Sequence, residues 1–475
     1  MDSRLENSLK DTQTAFDAIA VRRRPWKNLN RYYYKKITDY YRFLIPPGSR
    51  VLEIGSGDGD LLAELKPSRG LGLDASSRFV RLAHKKHPEL EFVQGFGESF
   101  KSGEKFDYVI LSGLVGHLYD VQAVLENLHQ FCTPSTRIII DYYNYLWEPV
   151  LSLASRVRLR MKQKIQNWLS LDDLQNLLQI SGFQTIGRAR KLIFPVYVPL
   201  ISELVNRLFS NIPFLRKFCL VHFIIASQIS KEPAPYPKAS IIVACKDEKG
   251  NIEELMRRIP HFPGGMEVVC VDGRSKDGTK EELERVRHLF PEKNIRIFDQ
   301  TGATGKGHAV RIAFEKAEGD VFIILDADIS VAPEDTMKFY DLLVSRRGEF
   351  INGTRLVYPM EKQAMRFLNI LGNKFFSMAF TFLLGQKIKD TLCGTKALWR
   401  RDYEVIAKNR SYFGDFDPFG DFDLLFGAAK LNLKIVEVPV RYYERHYGTT
   451  KIHRFRHGLL LLGMCMIAAK RIKFI

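Results

Sequence analysis

The chain has 475 residues, of which 45% are hydrophobic and 26% are charged, and its formal net charge is +17. This composition is that of a folded globular protein and not of a disordered chain, and the length predicts more than one domain, either about three units or two larger α/β domains. The excess of positive charge indicates a polyanionic partner, a class that includes nucleic acid, nucleotide phosphates and anionic membrane surfaces.

Residues 1–44 are predicted to form a basic, aromatic-rich helical segment before the first domain. Between Arg22 and Lys36 the sequence has seven Lys or Arg and no acid, interleaved with Trp26 and Tyr32–Tyr34. Such a pattern can bind single-stranded nucleic acid or a lipid headgroup layer. A solvated helix that leads into the first domain explains it as well, and we favour this interpretation. The first residues lack the apolar stretch of a signal peptide, so none is expected.

A strand, a glycine-rich turn and a helix open the first predicted domain, residues 45–230. The strand Arg50–Ile54 runs into Gly-Ser-Gly-Asp-Gly at 55–59, and a helix is predicted at 60–65. In this arrangement backbone N–H groups approach a ligand closely at the N-terminus of a helix. A second strand, 70–73, ends at Asp74, about twenty residues after the glycines, where an acid can bind the two hydroxyls of a ribose.

Strands and helices alternate through the rest of this domain. Further strands are predicted at 91–95, 106–112, 136–141, 183–190 and 220–228, with a helix at 120–131. This alternation predicts a doubly wound sheet with a Rossmann-like α/β fold.

Several of these segments together resemble class I S-adenosylmethionine-dependent methyltransferases: VLEIGSGDG at 51–59, Asp74, Phe96-Gly97-Glu98, and FDYVILSGLVGHLYD at 106–120. The resemblance implies that Glu53, Gly55 and Gly57 line the methionine part of S-adenosylmethionine, Asp74 the ribose and Glu98 the edge of the adenine. His117 is interpreted as a packed loop histidine, and no acceptor signature is present. A domain that binds the cofactor without methyl transfer, or that only scaffolds the second domain, stays open.

Residues 231–238, KEPAPYPK, form the predicted linker to a second domain at 239–475, because a proline-rich stretch stays extended. Strands are predicted at 240–245, 266–272, 294–299 and 321–325, with helices at 251–258 and 308–316. Polar or glycine-rich loops follow these strands and open at one edge of the sheet, where α/β proteins bind ligands. Lys306, between two glycines, can provide a point charge for a diphosphate.

The strand at 321–325 ends at Asp326-Ala327-Asp328. Two carboxylates this close disfavour joint ionisation unless a cation shares them, and a hard divalent cation can bridge carboxylates and substrate phosphates. An Asp-rich turn that caps the helix starting near Pro333 explains the same residues equally well. Taken alone, D-x-D leaves both interpretations open.

Seven motifs follow one another through this half of the chain: Asp247-Glu248, Asp272 with Asp277-Gly278-Thr279, Gly305-Lys306-Gly307, Asp326-Ala327-Asp328, Gly353-Thr354-Arg355, Gly420-Asp421-Phe422-Asp423, and Arg445-x-x-Gly-x-x-Lys451. Their order is similar to that of family 2 glycosyltransferases with the GT-A fold, especially those resembling dolichyl- or polyprenyl-phosphate sugar synthases. The resemblance implies Mg²⁺ or Mn²⁺ at Asp326 and Asp328.

The same resemblance implies roles for the remaining motif residues: Asp247, Glu248 and Asp272 contact the donor ribose and base, Lys306, Arg445 and Lys451 the donor diphosphate, and Arg355 and Arg366 the acceptor phosphate. The chain departs from the family at Asp272-Gly273, where paired aspartates are usual. An acceptor phosphate is already an anion and needs no general base, whereas a hydroxyl acceptor needs one, for which Asp421 and Asp423 are the candidates. In-line attack on C1 implies inversion of the anomeric centre.

Two apolar segments predict amphipathic helices at a membrane interface. In 363–385 nearly all positions are apolar except a stripe of polar residues, Arg366, Asn369, Asn373, Ser377 and Thr381. The second, 455–473, contains twelve consecutive uncharged residues, GLLLLGMCMIAA, flanked by Lys and Arg. We predict that both lie with their apolar side among lipid tails. For the first segment, a pair of helices packed on the sheet is the alternative.

These observations predict sugar transfer from a nucleotide diphosphate sugar to a polyprenyl phosphate, by an enzyme attached peripherally to the cytoplasmic face of an anionic membrane. Six scattered cysteines without a C-x-x-C pair favour a reducing cytoplasm, and no apolar run approaches the roughly 20 residues that span a bilayer. A glycosyltransferase acting on a saccharide hydroxyl is one alternative. A basic nucleic-acid adaptor is the other, but no nucleic-acid-binding signature accompanies the charge, so nucleic acid is not expected.

Overall fold

The structure, a computed structural model, describes residues 3–157, 159–161, 167–229, 234–303, 305–355, 357, 367–410, 422–443, 445, 447 and 462–473. The chain forms two compact units, Met1–Ile229 and Ser230–Lys473, and each contains a seven-stranded mixed sheet. Among the described residues, no helix combines the length and the apolar character that crossing a bilayer requires.

Two helices precede the first sheet, α1 (Ser3–Leu29) and α2 (Arg31–Leu44). The segment is helical, as predicted, but the expectation that it is solvated is wrong for much of it. Ile37, Tyr41 and Leu44 of α2 are buried, because this face of the helix packs on the core of the first sheet. Packing in the core therefore accounts for some of the tyrosines of α2.

The first sheet has the strand order β3-β2-β1-β4-β5-β7-β6. Strands β1 to β5 are parallel, and β7 is antiparallel to both β5 and β6. All seven strands predicted for this unit are present, and the parallel pairing of β1 to β5 confirms the doubly wound sheet. The strands are β1 (Arg50–Ile54), β2 (Arg69–Asp74), β3 (Glu91–Gln94), β4 (Tyr108–Ser112), β5 (Arg137–Tyr143), β6 (Phe183–Lys191) and β7 (Val221–Gln228).

Alternate residues of the central strands enter two apolar layers, one on each face of this sheet. Val109 and Ile138 belong to one layer, and Ile110 and Ile139 to the other. The helices of the unit that follow α2 are α3 (Asp60–Glu64), α4 (Ser77–Lys86), α5 (Val121–Asn127), α6 (Glu148–Arg156), α7 (Leu171–Ile180) and α8 (Ile201–Phe209).

The second sheet has the order β10-β9-β8-β11-β13-β12-β14. Strands β8 to β11 are parallel, β13 is antiparallel to β11 and β12, and β14 is parallel to β12. The four strands predicted here are confirmed. The strands are β8 (Ala239–Cys245), β9 (Met266–Asp272), β10 (Ile295–Asp299), β11 (Val321–Ile324), β12 (Phe350–Thr354), β13 (Lys396–Trp399) and β14 (Ile435–Pro439).

Helices cover this sheet on both sides: α9 (Lys249–Arg258), α10 (Thr279–Leu289), α11 (Lys306–Lys316), α12 (Thr336–Val344), α13 (Phe367–Leu384), α14 (Arg400–Lys408) and α15 (Phe422–Lys430). Residues 462–473 are also helical and end in a π-helical turn, Ala469–Lys473. Of the predicted interfacial segments, residues 363–366 and 455–461 lie outside the described residues.

Helix α13 packs on the sheet with one face and exposes the other. Phe380 is fully buried in the core, whereas Phe375 and Met378 are 51% and 67% exposed. Ser377 and Thr381, from the predicted polar stripe, hydrogen-bond to Ile388 and therefore face the protein. The described part of the helix thus combines the packing alternative with an outward apolar side, and its contact with a membrane remains a prediction.

Candidate active sites

The turn after β1 requires glycine and is tied to the end of β2. Gly55 and Gly57 have φ angles of +77° and +55°, a left-handed conformation that side-chain-bearing residues rarely adopt. The N–H of Gly57 donates to Asp74 Oδ2 at 2.8 Å, and the N–H of Ser76 donates to Asp74 Oδ1 at 2.9 Å. Burial raises the pKa of Asp74 although these two bonds oppose the shift. The structure therefore places Asp74 beside the turn.

Glu53 and Ser56 carry the polar atoms that a ligand of this turn can satisfy. Glu53 Oε2 and Ser56 Oγ are buried and have no hydrogen-bond partner within the described residues. Burial, with the charge of Asp58 as a smaller contribution, raises the pKa of Glu53 well above its usual value. Because a buried polar atom without a partner costs free energy, this site fits a ligand with hydrogen-bond donors, such as S-adenosylmethionine.

Glu98 lies after β3 and is partly buried, which raises the pKa of its carboxyl group. His117 packs edge-on against Phe16 of α1, with 5.6 Å between the ring centres. That packed position is the one expected for His117.

Helix α1 brings cations to the glycine turn, which the sequence analysis did not predict. Lys27 Nζ contacts Asp58 Oδ1 at 2.7 Å and Asp60 Oδ2 at 2.5 Å. The guanidinium of Arg23 lies so close to Gly57 that a Cβ there would be 2.9 Å from Arg23 Nη1. Burial lowers the pKa of Arg23, but the charges around it, those of Asp58, Asp74 and Glu53 among them, produce a net increase.

The spacing of residues along the sequence does not predict these contacts between α1 and the glycine turn. Only the coincidence of a cationic segment with acids beside a glycine turn could have indicated them. Asp17, further along α1, accepts from Ser76 Oγ at 2.5 Å and from the N–H of Arg78 at 3.2 Å. Helix α1 therefore contacts the loops after both β1 and β2.

Asp141, on β5, is a buried acid that the predicted site did not include. It is 1% exposed and accepts from Tyr41 Oη at 2.6 Å. Burial raises the pKa of Asp141 to about 6, although hydrogen bonds from Ser112 and Tyr41 oppose the shift. The strand pattern around Asp141 predicts the strand correctly and carries no indication of this pKa.

In the second unit, both aspartates of the D-x-D motif face cations. Asp326 Oδ1 lies 2.5 Å from Lys306 Nζ, and Asp328 Oδ2 lies 2.6 Å from Arg445 Nη2. Burial would raise the pKa of Asp326, but the charges of Lys306, Lys396 and Arg355 hold it below its usual value. Asp326 is therefore ionised at neutral pH, the state that a metal ligand needs.

The backbone around this pair is constrained. Ile329, directly after Asp328, has a φ angle of +54°, which is a genuine outlier for a β-branched residue. The N–H of Ser330 donates to Asp328 Oδ1 at 3.0 Å. Gly394, in the loop before β13, approaches so closely that a Cβ there would overlap Asp326 Oδ2 and lie 2.5 Å from Lys306 Nζ.

The acids predicted to contact the nucleotide meet in the loops after β8 and β9. Asp247 Oδ1 accepts from the N–H of Lys276 at 2.8 Å, and Glu248 Oε2 accepts from Asn251 Nδ2 at 2.7 Å. Asp272 Oδ2 accepts from the N–H of Ser275 at 3.2 Å. Its other oxygen, Oδ1, is buried without a partner in the described part of the chain, and a ligand hydroxyl or N–H can donate to it.

The two described residues at 445 and 447 both contact this region. Arg445 pairs with Asp328, as stated above, and Tyr447 Oη donates to Asp277 Oδ2 at 3.2 Å. The ring of Tyr447 also lies against Gly250, where a Cβ would be 2.7 Å from Tyr447 Cδ2. These two residues therefore contact both the D-x-D motif and the loops after β8 and β9.

Arg355 is engaged in a buried ion pair. Its Nε and Nη2 donate to Asp390 Oδ2 and Oδ1 at 2.7 and 2.9 Å, and its guanidinium lies 5.0 Å from the ring centre of Tyr442. Burial would lower the pKa of Arg355, but the charge and hydrogen bonds of Asp390 raise it. An acceptor phosphate would have to compete with Asp390 for this side chain.

Asp423 pairs with Arg410 at 3.2 Å and with Arg311 at 3.6 Å. The structure therefore presents this residue as an ion-paired acid near the start of α15, between Arg311 of α11 and Arg410, which follows α14. Arg366, Asp421 and Lys451 lie outside the described residues.

The carboxylate oxygens of Asp326 and Asp328 fit Mg²⁺ or Mn²⁺ as ligands, because both are hard cations that prefer carboxylate oxygens. Within the described ranges, no group of three or more His, Cys, Asp or Glu side chains is placed to hold a metal ion. A cation at the two aspartates would therefore take further ligands from water or from substrate phosphates, as Mg²⁺ commonly does.

Comparison with protein families gives two matches. Residues 240–406 match glycosyl transferase family 2, and residues 26–187 match a methyltransferase domain. The first match includes the D-x-D motif, and the second includes the glycine turn.

Curated relatives are glycosyltransferases. The chain is 31% identical over 197 residues to glycosyltransferase AglJ of Haloferax volcanii, covering 41% of this chain and 60% of the relative. It is 30% identical over 220 residues to a dolichol-phosphate mannosyltransferase of Pyrococcus furiosus, covering 45% of this chain and 59% of the relative. A polyprenol monophosphomannose synthase of Mycolicibacterium smegmatis is 26% identical over 222 residues, covering 46% and 82%. The chain thus spans about three fifths of the first two relatives.

Among solved structures, a S-adenosylmethionine-dependent methyltransferase of Thermotoga maritima, described as a possible histamine N-methyltransferase, is 16% identical with a TM-score of 0.37, covering 46% of this chain and all of that one. The family matches each cover about a third of the chain, and both families are enzymes. The chain carries a methyltransferase domain in its N-terminal half and a family 2 glycosyltransferase domain in its C-terminal half.

Proposed function

We propose that the C-terminal domain transfers a sugar from a nucleotide diphosphate sugar to a polyprenyl phosphate at the cytoplasmic face of a membrane. The observation that carries this proposal is the D-x-D motif, in which each aspartate contacts a cation, Lys306 or Arg445. Acids and cations alternate in this way where a diphosphate and a divalent cation bind together. The names of two relatives, a dolichol-phosphate mannosyltransferase and a polyprenol monophosphomannose synthase, support the acceptor class.

The donor nucleotide is proposed to bind in the loops after β8 and β9. Asp247 and Glu248 contact the ribose, and Asp272, with its unpartnered Oδ1, accepts from the ribose or the base. Lys306, Arg445 and Lys451 contact the diphosphate. Arg445 and Tyr447 already contact both parts of this region, so these two side chains lie where they can contact a bound donor.

Mg²⁺ or Mn²⁺ held by Asp326 and Asp328 would neutralise charge on the leaving diphosphate. The positive side chains of Lys306 and Arg445 would stabilise the same negative charge on the diphosphate. When the diphosphate binds, both cations can exchange their carboxylate partners for phosphate oxygens.

The acceptor phosphate attacks C1 of the sugar directly, so the anomeric centre inverts and no general base is needed. Arg366 is the proposed contact for this phosphate. Arg355, held by Asp390, is close enough to lower the pKa of Asp326 and adds positive charge where the two anions meet.

The test is incubation of the full chain with a panel of nucleotide sugars and a short polyprenyl phosphate, followed by mass spectrometry of the lipid fraction. We expect one glycosylated lipid phosphate, and its loss after treatment with chelator and in Asp328→Asn. Asp341→Asn, an exposed acid on α12, is the matched control and should keep full activity. Full activity after chelation, or no product with any donor, would contradict the proposal.

Replacement of Arg366 separates the two acceptor classes. Arg366→Ala should abolish transfer to a lipid phosphate, because two anions must approach each other there. If the acceptor is a saccharide hydroxyl, the same variant keeps its activity, and Asp421 or Asp423 becomes the required base.

For the N-terminal domain, we propose S-adenosylmethionine binding by Glu53, Gly55, Gly57, Asp74 and Glu98. The cofactor supplies the methyl group when bound, and Glu53 and Asp74 hold it by accepting hydrogen bonds. Titration calorimetry with the full chain should show binding that Asp74→Asn weakens. An absence of any heat of binding would instead support a scaffold without cofactor.

A further inference from the structure

Helix α8 presents its two uncharged polar residues, Ser202 and Asn206, to the protein and most of its large apolar residues to the outside. Ser202 is fully buried, where it accepts from the N–H of Val198 at 2.6 Å and donates to the carbonyl of Val196 at 2.7 Å. One turn later, Asn206 Oδ1 accepts from the N–H groups of Ile193 and Phe194 at 2.9 and 2.8 Å. This is the reverse of a helix that faces water, in which the polar side is outside.

Most outward side chains of α8 are large and apolar, and the charged Glu203 and Arg207 are exposed among them. Leu204 and Leu208 are 59% and 46% exposed, and Leu200, at the start of the helix, is 86% exposed. Leu200 also has a φ angle of +65°, a left-handed conformation that costs free energy for a leucine. The fold therefore accepts backbone strain while this apolar side chain points away from the core.

Helix α6 of the same unit also has exposed large apolar side chains. Trp147 Nε1 donates to the carbonyl of Phe218 at 2.8 Å, and Asn144 Nδ2 donates to the carbonyl of Lys217 at 2.9 Å. These bonds join the start of α6 to the turn that follows α8. We call the outward side chains of these elements the apolar face, represented by Leu153, Val157, Leu200, Leu204, Leu208 and Phe214, each more than 45% exposed.

The charges around the apolar face indicate its partner. Residues 145–160 and 193–218, which form it, contain six Lys or Arg and two Glu. One of these acids, Glu203, is paired with Lys36 at 2.7 Å. Large apolar side chains that are exposed in such number indicate an interaction site, and short outward-facing amphipathic helices with surrounding cations are the pattern of proteins that lie on anionic bilayers.

The apolar face lies at the cofactor edge of the first sheet. Strand β5, which leads into α6, is parallel to β4, and β4 is parallel to β1. Strand β6 runs in the same direction, because both β5 and β6 are antiparallel to β7. The segments after β5 and β6 therefore leave the sheet at the edge where β1 meets the glycine turn.

We propose that the N-terminal unit docks on an anionic lipid bilayer through the apolar face, with the cofactor edge of its sheet toward the membrane. Its residues belong to the first unit, whereas α13 and residues 462–473 belong to the second, and the proposal does not depend on the sugar or the acceptor of the C-terminal domain.

The test uses the full chain and vesicles of equal parts phosphatidylcholine and phosphatidylglycerol. Hydrogen exchange measured by mass spectrometry should show that vesicles protect the amides of 196–218. In co-sedimentation, Leu204→Glu/Leu208→Glu should weaken vesicle binding by about tenfold or more, because two apolar side chains that enter the bilayer become charged. Both positions are exposed, so the variant should fold.

The matched control is Leu82→Glu/Ile180→Glu, two exposed apolar residues of the same unit that lie on α4 and α7. It should bind vesicles as the unchanged protein does. Equal loss in both variants, unchanged binding in the α8 variant, or no protection of 196–218 would overturn the proposal. The proposal would also be overturned if analytical ultracentrifugation without vesicles showed a dimer of the unchanged protein and a monomer of the α8 variant. The apolar face would then be a contact between two copies of the chain.

Glycosyl transfer to a short polyprenyl phosphate in detergent solution provides the separate readout. The α8 variant should keep this activity. A loss of vesicle binding with transfer intact supports docking through the apolar face, whereas a failure of transfer in the unchanged protein bears only on the function proposed for the C-terminal domain.

Discussion

Gly394 is the residue at which the smallest change should most disturb the D-x-D region. A methyl group there would overlap Asp326 Oδ2 and lie 2.5 Å from Lys306 Nζ, so the pair must separate. We expect Gly394→Ala to lower glycosyl transfer by about a hundredfold, since small displacements of reacting groups have effects of this size. The measurement is the initial rate with the active nucleotide sugar.

The control for this variant is Gly463→Ala, because a Cβ at Gly463 meets nothing within 4 Å. It should leave the rate unchanged. Full activity of Gly394→Ala would mean that Asp326 and Lys306 need not be in contact for transfer.

Asp141 should make the stability of the N-terminal unit depend on pH. Its folded pKa, about 6, is above the ordinary 3.8, so folding favours the protonated form. The contribution of Asp141 to stability is therefore full at acidic pH and is lost as the pH rises through about 6. The loss is on the order of 3 kcal/mol, from about two pKa units.

Asp141→Asn removes this titration and should unfold at a higher temperature than the unchanged protein at pH 7.5, with the difference shrinking toward pH 4. Differential scanning calorimetry across this range measures it. The same difference at every pH would show that Asp141 is ionised in the fold throughout.

Individual site residues differ in how far the sequence could predict them. Asp326, Asp328 and Lys306 were predictable because each stands where a buried strand or a glycine loop ends, and such positions meet at one sheet edge. The ion pair of Arg355 with Asp390, and those of Asp423 with Arg311 and Arg410, join segments that are distant in sequence. The spacing of residues along the sequence does not predict such contacts. An arginine that is predicted to bind phosphate can therefore be paired with an acid in the structure.

At the scale of elements, strands were predicted better than the helices of the N-terminal unit. Strand β11, VFII, is a continuous apolar run that is buried at every position, and β1 and β9 are buried at nearly every position; this pattern has few alternatives. Helix α8 was not predicted, and its apolar residues face outward, so its pattern gives no indication of which side packs. Helix α1 has a weak apolar periodicity, and several of its inward contacts are polar.

Helix α1 should control the affinity for S-adenosylmethionine through the charge of Arg23. This guanidinium lies beside Gly57 and among Glu53, Asp58 and Asp74, so it competes with a cationic ligand for the same acids. We expect Arg23→Ala to bind S-adenosylmethionine about fivefold more tightly, a change of about 1 kcal/mol. S-adenosylhomocysteine lacks the sulfonium charge and should gain little.

Titration calorimetry with both ligands gives this ratio. Lys35→Ala, an exposed cation on α2, should change neither affinity. Weaker binding of both ligands to Arg23→Ala would instead identify Arg23 as a direct contact of the cofactor.

At the scale of the whole molecule, the net charge of +17 and the exposed apolar side chains, those of α8 in the first unit and those of α13 in the second, should each contribute to the affinity for a bilayer. The two contributions respond differently to salt. Screening shortens the reach of exposed charges from about 10 Å at 0.1 M to about 3 Å at 1 M, whereas salt does not screen the burial of apolar surface.

Vesicle binding should therefore lose its electrostatic part in salt and keep its apolar part. Raising sodium chloride from about 0.05 M to about 0.5 M should weaken binding to anionic vesicles by about tenfold or more, and binding to pure phosphatidylcholine vesicles should be weaker at the start and nearly constant. Co-sedimentation across the salt series measures both. A nucleic-acid adaptor would behave otherwise, since its binding to single-stranded RNA would dominate and fall steeply with salt. Two results together would show that the positive charge serves nucleic-acid binding and not membrane binding. The first is tight, salt-sensitive RNA binding that survives Asp328→Asn, and the second is an absence of vesicle binding at every salt concentration.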